Sequence, residues 1–390
     1  MCEHCLQLNT TELDSAACGE AADRLYAHIE RLCLREDGSV MGPDPGVRLN
    51  LRIGRFIKSY LRFLPWHDDR YYLQTQAYWI FNNLTIYNRT KDRKYLDHAL
   101  RCADIIASRQ KPEGYWDYPG GEWKQMIATV EICFGGLGLI AAFDAGQDER
   151  YLEHCRSAYN YLIENTGFQR YGEDSAAINY FSNCPRGLVT NNSTVALWFF
   201  SKLSKATGDS YYLDHCGPMA KFVTRVQLDT GELPYSLGNE EIEERIHYLC
   251  FQYNAFQFMD LAEYYELSCD QTILHVLDKL AVFLSGGLLP SGDGRHCCHE
   301  NQPIVNYYTG AISAALMRAN SMGLGDYSSL VKQGFERLCA LQHDDGSFDH
   351  SWNDYGFLRD RRTYPRYQLM ILKHLLDAEE LSNRIGGGCD

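Results

Sequence analysis

Residues 93–116 read RKYLDHALRCADIIASRQKPEGYW, and this stretch decides the fold. Leu96, Leu100, Ala103 and Ile106 recur at helical spacing and form one apolar stripe on an otherwise polar segment. A glycine turn with aromatics, Glu113-Gly-Tyr-Trp, follows directly. The same order of parts returns down the chain. Tyr151-Leu-Glu-His and Tyr212-Leu-Asp-His-Cys open the next two striped segments, and weaker copies begin at Ile273-Leu274 and Ser329-Leu330. The equivalent leucines, Leu96, Leu152, Leu213, Leu274 and Leu330, are spaced 56, 61, 61 and 56 residues apart. The matching turns are Thr166-Gly-Phe, Thr230-Gly-Glu-Leu, Ser285-Gly-Gly-Leu and Asp345-Gly-Ser-Phe. After each turn the sequence predicts a longer and more apolar helix, over 123–143, 190–203, 246–265, 304–322 and 366–381.

A helix that is apolar nearly all round is buried, and one with a single stripe lies outside it. Inner and outer helices alternating at this period close into a toroid. The N-terminal part supplies a sixth pair, over 12–34 and 72–87, with an extra helix over 49–64. No run alternates with period two outside the turns. The expectation is an all-α chain, a single (α/α)6 toroid domain over 1–390, with 1–10 and 385–390 as flexible tails.

The 390 residues include 37 Lys and Arg against 51 Asp and Glu, a formal net charge of −14. So acidic a chain argues against nucleic acid as the partner. The opening MCEHCLQLNTTELDSAACGE has neither a basic region nor an apolar core, and the most apolar stretch, 132–143, is shorter than a bilayer needs. No membrane span is expected, and the location read from this is cytoplasmic. The 15 cysteines, an odd number, then read as reduced thiols serving as small core hydrophobes. The oligomeric state is left open.

In a toroid of helical hairpins, the loops leading into the inner helices share one rim with those helices' N-termini, whose free N–H groups favour polar and anionic ligands. Of the 27 Tyr, against 17 Phe, some such as Tyr95, Tyr151 and Tyr212 open outer helices, and the others cluster on these loops. Aromatic faces stack on pyranose rings, and carboxylates and amides pair with hydroxyls. The candidate substrate-binding residues are Trp116, Trp123, Glu131, Arg245, Tyr307, Tyr308, Trp352, Arg366 and Tyr367. Acid/base chemistry at a glycosidic bond needs two groups of separated pKa. The candidates are Asp117 or Glu122 across the mouth from Asp349 with His350, and His247 with Tyr248 for proton abstraction beside a uronate. Polar residues within the inner helices, Gln74, Gln76, Gln125, Glu131, Gln252, Asn254 and Gln257, either bond helix to helix or line a polar centre.

No cofactor and no metal are expected. The nearest approach to a metal motif is His296-Cys297-Cys298-His299. Cys297, Cys298 and His299 could supply ligands there with Cys250 or His247, the other reading being two core-facing thiols between exposed histidines.

Residues 101–116, RCADIIASRQKPEGYW, and 337–348, RLCALQHDDGSF, resemble the QW repeat of the terpenoid-cyclase toroids: a basic start, an apolar pair, Gln, then Gly and an aromatic. The D-x-D-D acid of those cyclases is not found. The overall plan of helical pairs and D-G-x-aromatic turns also resembles the six-hairpin glycosidase superfamily of hydrolases, uronyl hydrolases and polysaccharide lyases. That resemblance implies a carbohydrate-active enzyme acting on an oligo- or polysaccharide, uronate-containing, as hydrolase, lyase or epimerase. The alternatives are an isoprenoid cyclase or prenyltransferase-like toroid and a non-catalytic glycan-binding toroid.

Overall fold

The computed structural model describes residues 13–45, 53–119, 126–182, 187–238, 243–354 and 357–386. Thirteen α-helices occur among them. The inner ring is α3 (Leu73–Thr90), α5 (Thr129–Gly146), α7 (Thr190–Thr207), α9 (Cys250–Ser268), α11 (Asn306–Ser321) and α13 (Pro365–Gly386). Each packs on the next, and α13 returns to α3, so the ring closes. Outside it lie α1 (Ser15–Leu32), α4 (Arg93–Arg109), α6 (Glu149–Tyr161), α8 (Cys216–Val226), α10 (Gln271–Ser285) and α12 (Ser328–Ala340). α1 packs against α13, which joins the two ends of the described chain. The short α2 (Ile53–Tyr60) docks on the strand Leu358–Asp360. The chain is an (α/α)6 toroid.

The tight links from inner to outer helices have a common chemistry. Lys91, Gln147, Gly208 and Cys269 end their helices with φ of 58°, 56°, 70° and 55°. An aspartate follows each. Asp92, Asp148 and Asp270 accept from the N–H two residues on at 2.9, 3.1 and 2.9 Å and start the next helix. Asp209 does the same for Tyr211, but there the chain makes a 3₁₀ turn, Ser210–Leu213, before α8 begins. Tyr212 and Leu213 therefore precede the fourth outer helix instead of opening it.

Helix α5 has the length and apolarity of a membrane span, yet 67 % of it is buried inside the toroid. It starts at Thr129; the expected start at 123 lies outside the described residues.

The glycine turns recur with fixed geometry, except that in the fourth repeat the turn is made at Gly292, φ 85°, between Leu289 and Asp293, while the expected Ser285-Gly-Gly-Leu is the end of α10. Gly114, Gly231 and Gly346 have φ of 102°, 89° and 86°, and a Cβ on any of them would overlap the carbonyl oxygen of Ser157, Lys279 or Arg24 on the adjacent outer helix. A sixth copy, Asp37-Gly-Ser-Val with Gly38 at φ 99°, precedes α2, outside the five turns the sequence marks. Its Asp37 accepts from Ser39 N at 2.8 Å, as Asp345 accepts from Ser347 N at 3.0 Å. The residue two after the glycine is held by an inner-helix amide. Gln76 bonds both backbone groups of Val40, Asn254 those of Leu233, and Gln368 those of Phe348, all at 2.7–3.0 Å. Gln76 and Asn254 are thus structural. Asn192 and Gln257 differ: both are fully buried, and neither amide finds a hydrogen-bond partner among the described residues.

Candidate functional site at the inner-helix N-termini

The first N–H groups of the inner helices are satisfied by the rim loops, and this fixes which side chains surround the axis. Thr129 N donates to Tyr180 O, Thr190 N to Tyr235 O and Asn306 N to His350 O, each at 3.0 Å. Tyr180, Tyr235 and His350 therefore hold equivalent places in three of the repeats. At α3 a side chain takes over, as Leu73 N donates to the Glu131 carboxylate of α5 at 2.6 Å.

From these anchors an aromatic wall runs round the rim. Tyr72 meets Tyr118 with ring centroids 5.9 Å apart, and Tyr118 meets Phe181, which packs on Tyr180 at 4.4 Å. Tyr235 contacts Tyr253 at 4.6 Å and Tyr248 at 4.9 Å. Tyr307 lies 4.7 Å from Tyr308 and stacks on Tyr367 at 4.0 Å. Arg366 joins the ends, its guanidinium carbon 4.8 Å from the Tyr367 ring centre and 4.5 Å from that of Tyr72. Asp44, 1 % exposed, holds this cation with Oδ2 2.9 Å from Nε and Oδ1 3.0 Å from Nη2; Nη2 also donates to the Tyr367 hydroxyl at 2.8 Å. Burial raises the Tyr118, Tyr180, Tyr253 and Tyr307 phenols, so they stay neutral.

Two groups within the wall have strongly shifted ionisation. Burial pushes the Glu131 carboxyl up to about 7, against the opposing pull of the Leu73 N–H and of Arg366. His350 is held well below the usual imidazole range, first by burial and then by Arg55 and Arg366. It is neutral, and its Nδ1 has no hydrogen-bond partner among the described residues. The His350 ring lies 5.0 Å from Tyr364, 5.2 Å from Tyr367 and 6.1 Å from Tyr307.

The wall thus unites Glu131, Arg366, Tyr367, Tyr307, Tyr308 and His350. Other candidates fall elsewhere. Trp116 is 3 % exposed in the apolar core, and its indole donates to Ile106 O at 2.8 Å, so it is a packing residue instead of a rim platform. Asp117 is solvent-exposed and pairs with Lys111 at 2.8 Å. The Asp349 carboxylate turns to His343 Nε2 at 2.9 Å, beside the outer helix α12. Trp352 donates to Asp293 at 3.1 Å, and Asp293 also binds Arg337 at 2.8 Å, which makes a structural knot. Tyr248 touches the wall through Tyr235 but is itself exposed, with Arg245 over its ring. His247 bonds Glu232 at 2.9 Å and lies beside Cys298. Cys297 is buried. Glu122, Trp123 and Gln125 lie outside the described residues. Asp44, Tyr72 and Arg55 are in the site region but sit before the first clear repeat, where nothing in the sequence singles them out.

A cavity of about 450 Å³ lies toward the other end of the inner helices. It is lined by the C-terminal halves of the six inner helices, with Phe81, Trp198, Phe256 and Met259 among carboxylates and cations. Lys202 pairs with Glu263 at 2.9 Å and Arg318 with Glu266 at 2.5 Å near it.

No protein-family model matches the chain, and no curated protein matches it in sequence. Solved structures share its fold. A cellobiose 2-epimerase from Bacillus thermoamylovorans superposes with TM-score 0.69 at 13 % identity, covering 93 % of this chain and 99 % of that one. The GH76A α-1,6-mannanase of Salegentibacter sp. gives 0.67 at 14 %, covering 93 % and 99 %. A possible GH105 family member from Salmonella enterica gives 0.69 at 11 %, covering 98 % and 97 %.

Proposed function

We propose that this chain is a carbohydrate-active enzyme that binds an oligo- or polysaccharide against the tyrosine wall and acts by acid/base chemistry, with Glu131 as the proton-transfer group. The observation that carries the reading is the Glu131 carboxyl: buried, ionising near 7 and facing Arg366 inside a ring of neutral phenols. A group with that pKa is partly protonated at neutral pH, so it can give a proton to a leaving oxygen or take one from a sugar carbon. The His350 imidazole, held neutral, offers its unpartnered Nδ1 as a hydrogen-bonding group for a sugar hydroxyl. Arg366 and the exposed Arg245 are the cations that a uronate carboxylate would meet. The fold's likeness to a cellobiose epimerase, an α-1,6-mannanase and a possible GH105 member supports this class of substrate. The isoprenoid alternative needs a deep apolar tunnel, whereas the far-end cavity carries Asp144, Lys202, Asp260, Glu263, Arg318 and Lys373 on its wall.

The test is a panel of neutral and uronate-containing oligosaccharides, with products followed by mass spectrometry and anomeric proton NMR. Glycan turnover by the wild type, lost in Glu131→Gln, is the expected result. Absence of both binding and product across the panel, with isoprenoid diphosphates turned over instead, would sink the reading.

A further inference from the structure

Beside the tyrosine wall, the α9 N-terminus and the loop before α11 bring together two thiols, two imidazoles and a carboxylate. Cys250 Sγ lies 3.2 Å from Cys298 Sγ. Cys298 Sγ lies 3.3 Å from His247 Nδ1 and 3.7 Å from Glu232 Oε2, and His247 Nδ1 is 2.9 Å from that same oxygen. His299 sets its ring edge-on to His247 with centroids 4.7 Å apart, on the exposed side. Donor atoms of His247, Cys298 and His299 fall within 4.8 Å of one another, as do those of Glu232, Cys250 and Cys298.

We infer that this cluster is a zinc site, with Cys250, Cys298 and His247 as ligands, Glu232 closing the fourth position and His299 covering the open side. A tetrahedral zinc with bonds of about 2.3 Å to sulfur and about 2.05 Å to nitrogen sets its ligands about 3.8 Å apart for sulfur pairs and about 3.6 Å apart for sulfur and nitrogen. The observed 3.2 and 3.3 Å are within about half an ångström of those values.

Two further observations point to a cation. Glu232 is 1 % exposed, and its Oε1 is buried with no hydrogen-bond partner among the described residues. His247 and Cys298 meet the other oxygen, Oε2, so the carboxylate is only half satisfied, and a divalent ion would supply the partner that Oε1 lacks. The donor set selects the metal: paired thiolates with imidazole suit zinc, whereas magnesium and calcium take oxygen ligands. The site also engages His247, which removes it from the proton-abstraction role and leaves the chemistry to Glu131. Tyr248, next in the chain, packs on Tyr235, so the ion would brace this side of the wall.

The experiment uses the full chain purified under reducing conditions, stripped with a chelator and titrated with zinc, with bound metal measured by mass spectrometry. About one zinc per chain is expected, as for a single four-ligand site. Cys298→Ser and His247→Ala should each weaken binding at least about tenfold, while Cys297→Ala binds as the wild type does. Should the ligand variants fail to fold, cobalt added to the wild-type chain is the independent readout, and a thiolate-to-cobalt charge-transfer band is expected. Reduced wild-type protein that takes up neither metal overturns the inference. So does native protein holding a Cys250–Cys298 disulfide and no zinc. Neither result bears on the glycan panel, so this inference and the proposed function fail separately.

Discussion

Gln342, at the end of the last outer helix, donates from Nε2 to Ala21 O in the first outer helix at 2.8 Å and to Gly346 O in its own turn at 2.9 Å. Gln110 bridges Gly114 O and His154 O, and Gln227 bridges Gly231 O and Val276 O, at 2.9–3.0 Å. The bridge is the physical content of the Q-x-x-x-G motif. A glutamine holds its own turn against the next outer helix, and at Gln342 the next helix is the first of the chain.

Gly346→Ala should therefore be far more damaging than an ordinary surface change. Its Cβ would overlap Arg24 O at a positive φ, a strain of about 3 kcal/mol or more. Gln342→Ala, which removes both hydrogen bonds of the bridge, should cost about 1–3 kcal/mol. Urea denaturation of the two variants measures both, and an alanine at Gly346 that leaves the midpoint in place would refute this account of the turn.

The scaffold was legible because it repeats. The striped and apolar helices, the glycine turns and the QW-like spacing all recur, and repetition separates signal from coincidence. The site was legible only where it lay on repeats: Glu131, His350, Tyr307, Arg366 and Tyr367 were nominated, whereas Asp44 and Tyr72 were not. Trp116 misled because Gly-x-Trp reads as a rim aromatic, although this indole is buried in the core with its one donor satisfied by Ile106. Side-chain direction within a loop is set by tertiary packing, which explains why Asp349 and His350, neighbours in sequence, face different partners.

Asp260 predicts a pH effect on stability that is independent of catalysis. Burial pushes its carboxyl from 3.8 up to about 8, and its one hydrogen bond, from the Thr194 hydroxyl at 3.0 Å, only partly opposes this. The folded state keeps a proton that the unfolded chain releases above about 4, so this residue's contribution to stability falls as pH rises from about 4 to about 8. Asp260→Asn should change little at the acid end of that window and stabilise by on the order of 2 kcal/mol at the alkaline end. Denaturant melts at both ends decide it, and equal effects at the two would remove Asp260 as the cause.

Glu131→Gln separates a structural cap from a proton carrier. The amide oxygen can still accept from Leu73 N–H, so α3 keeps its cap and thermal stability should change little. The ionisation is lost. On any glycan the wild type turns over, the rate should fall about 10²- to 10⁴-fold, and the pH profile should lose its inflection near 7. A variant that keeps both rate and profile would leave Glu131 as a helix cap alone.

Arg366 and Asp44 predict an asymmetric double-mutant cycle. The pair is buried, held at 2.9 and 3.0 Å, and the guanidinium is further sandwiched by Tyr72 and Tyr367. Arg366→Met removes the cation that the Asp44 carboxylate, 1 % exposed, binds through both oxygens, which should cost about 1–3 kcal/mol. Removing both charges, as Arg366→Met with Asp44→Leu, should recover most of that loss, because a buried ion pair replaced by apolar side chains is often near neutral. Glycan binding should behave differently. If the guanidinium and its stacked phenols hold the sugar, the double variant regains the fold and not the affinity. Calorimetry with a bound oligosaccharide on all four proteins measures this split, and affinity returning together with stability would assign Arg366 a role in the scaffold only.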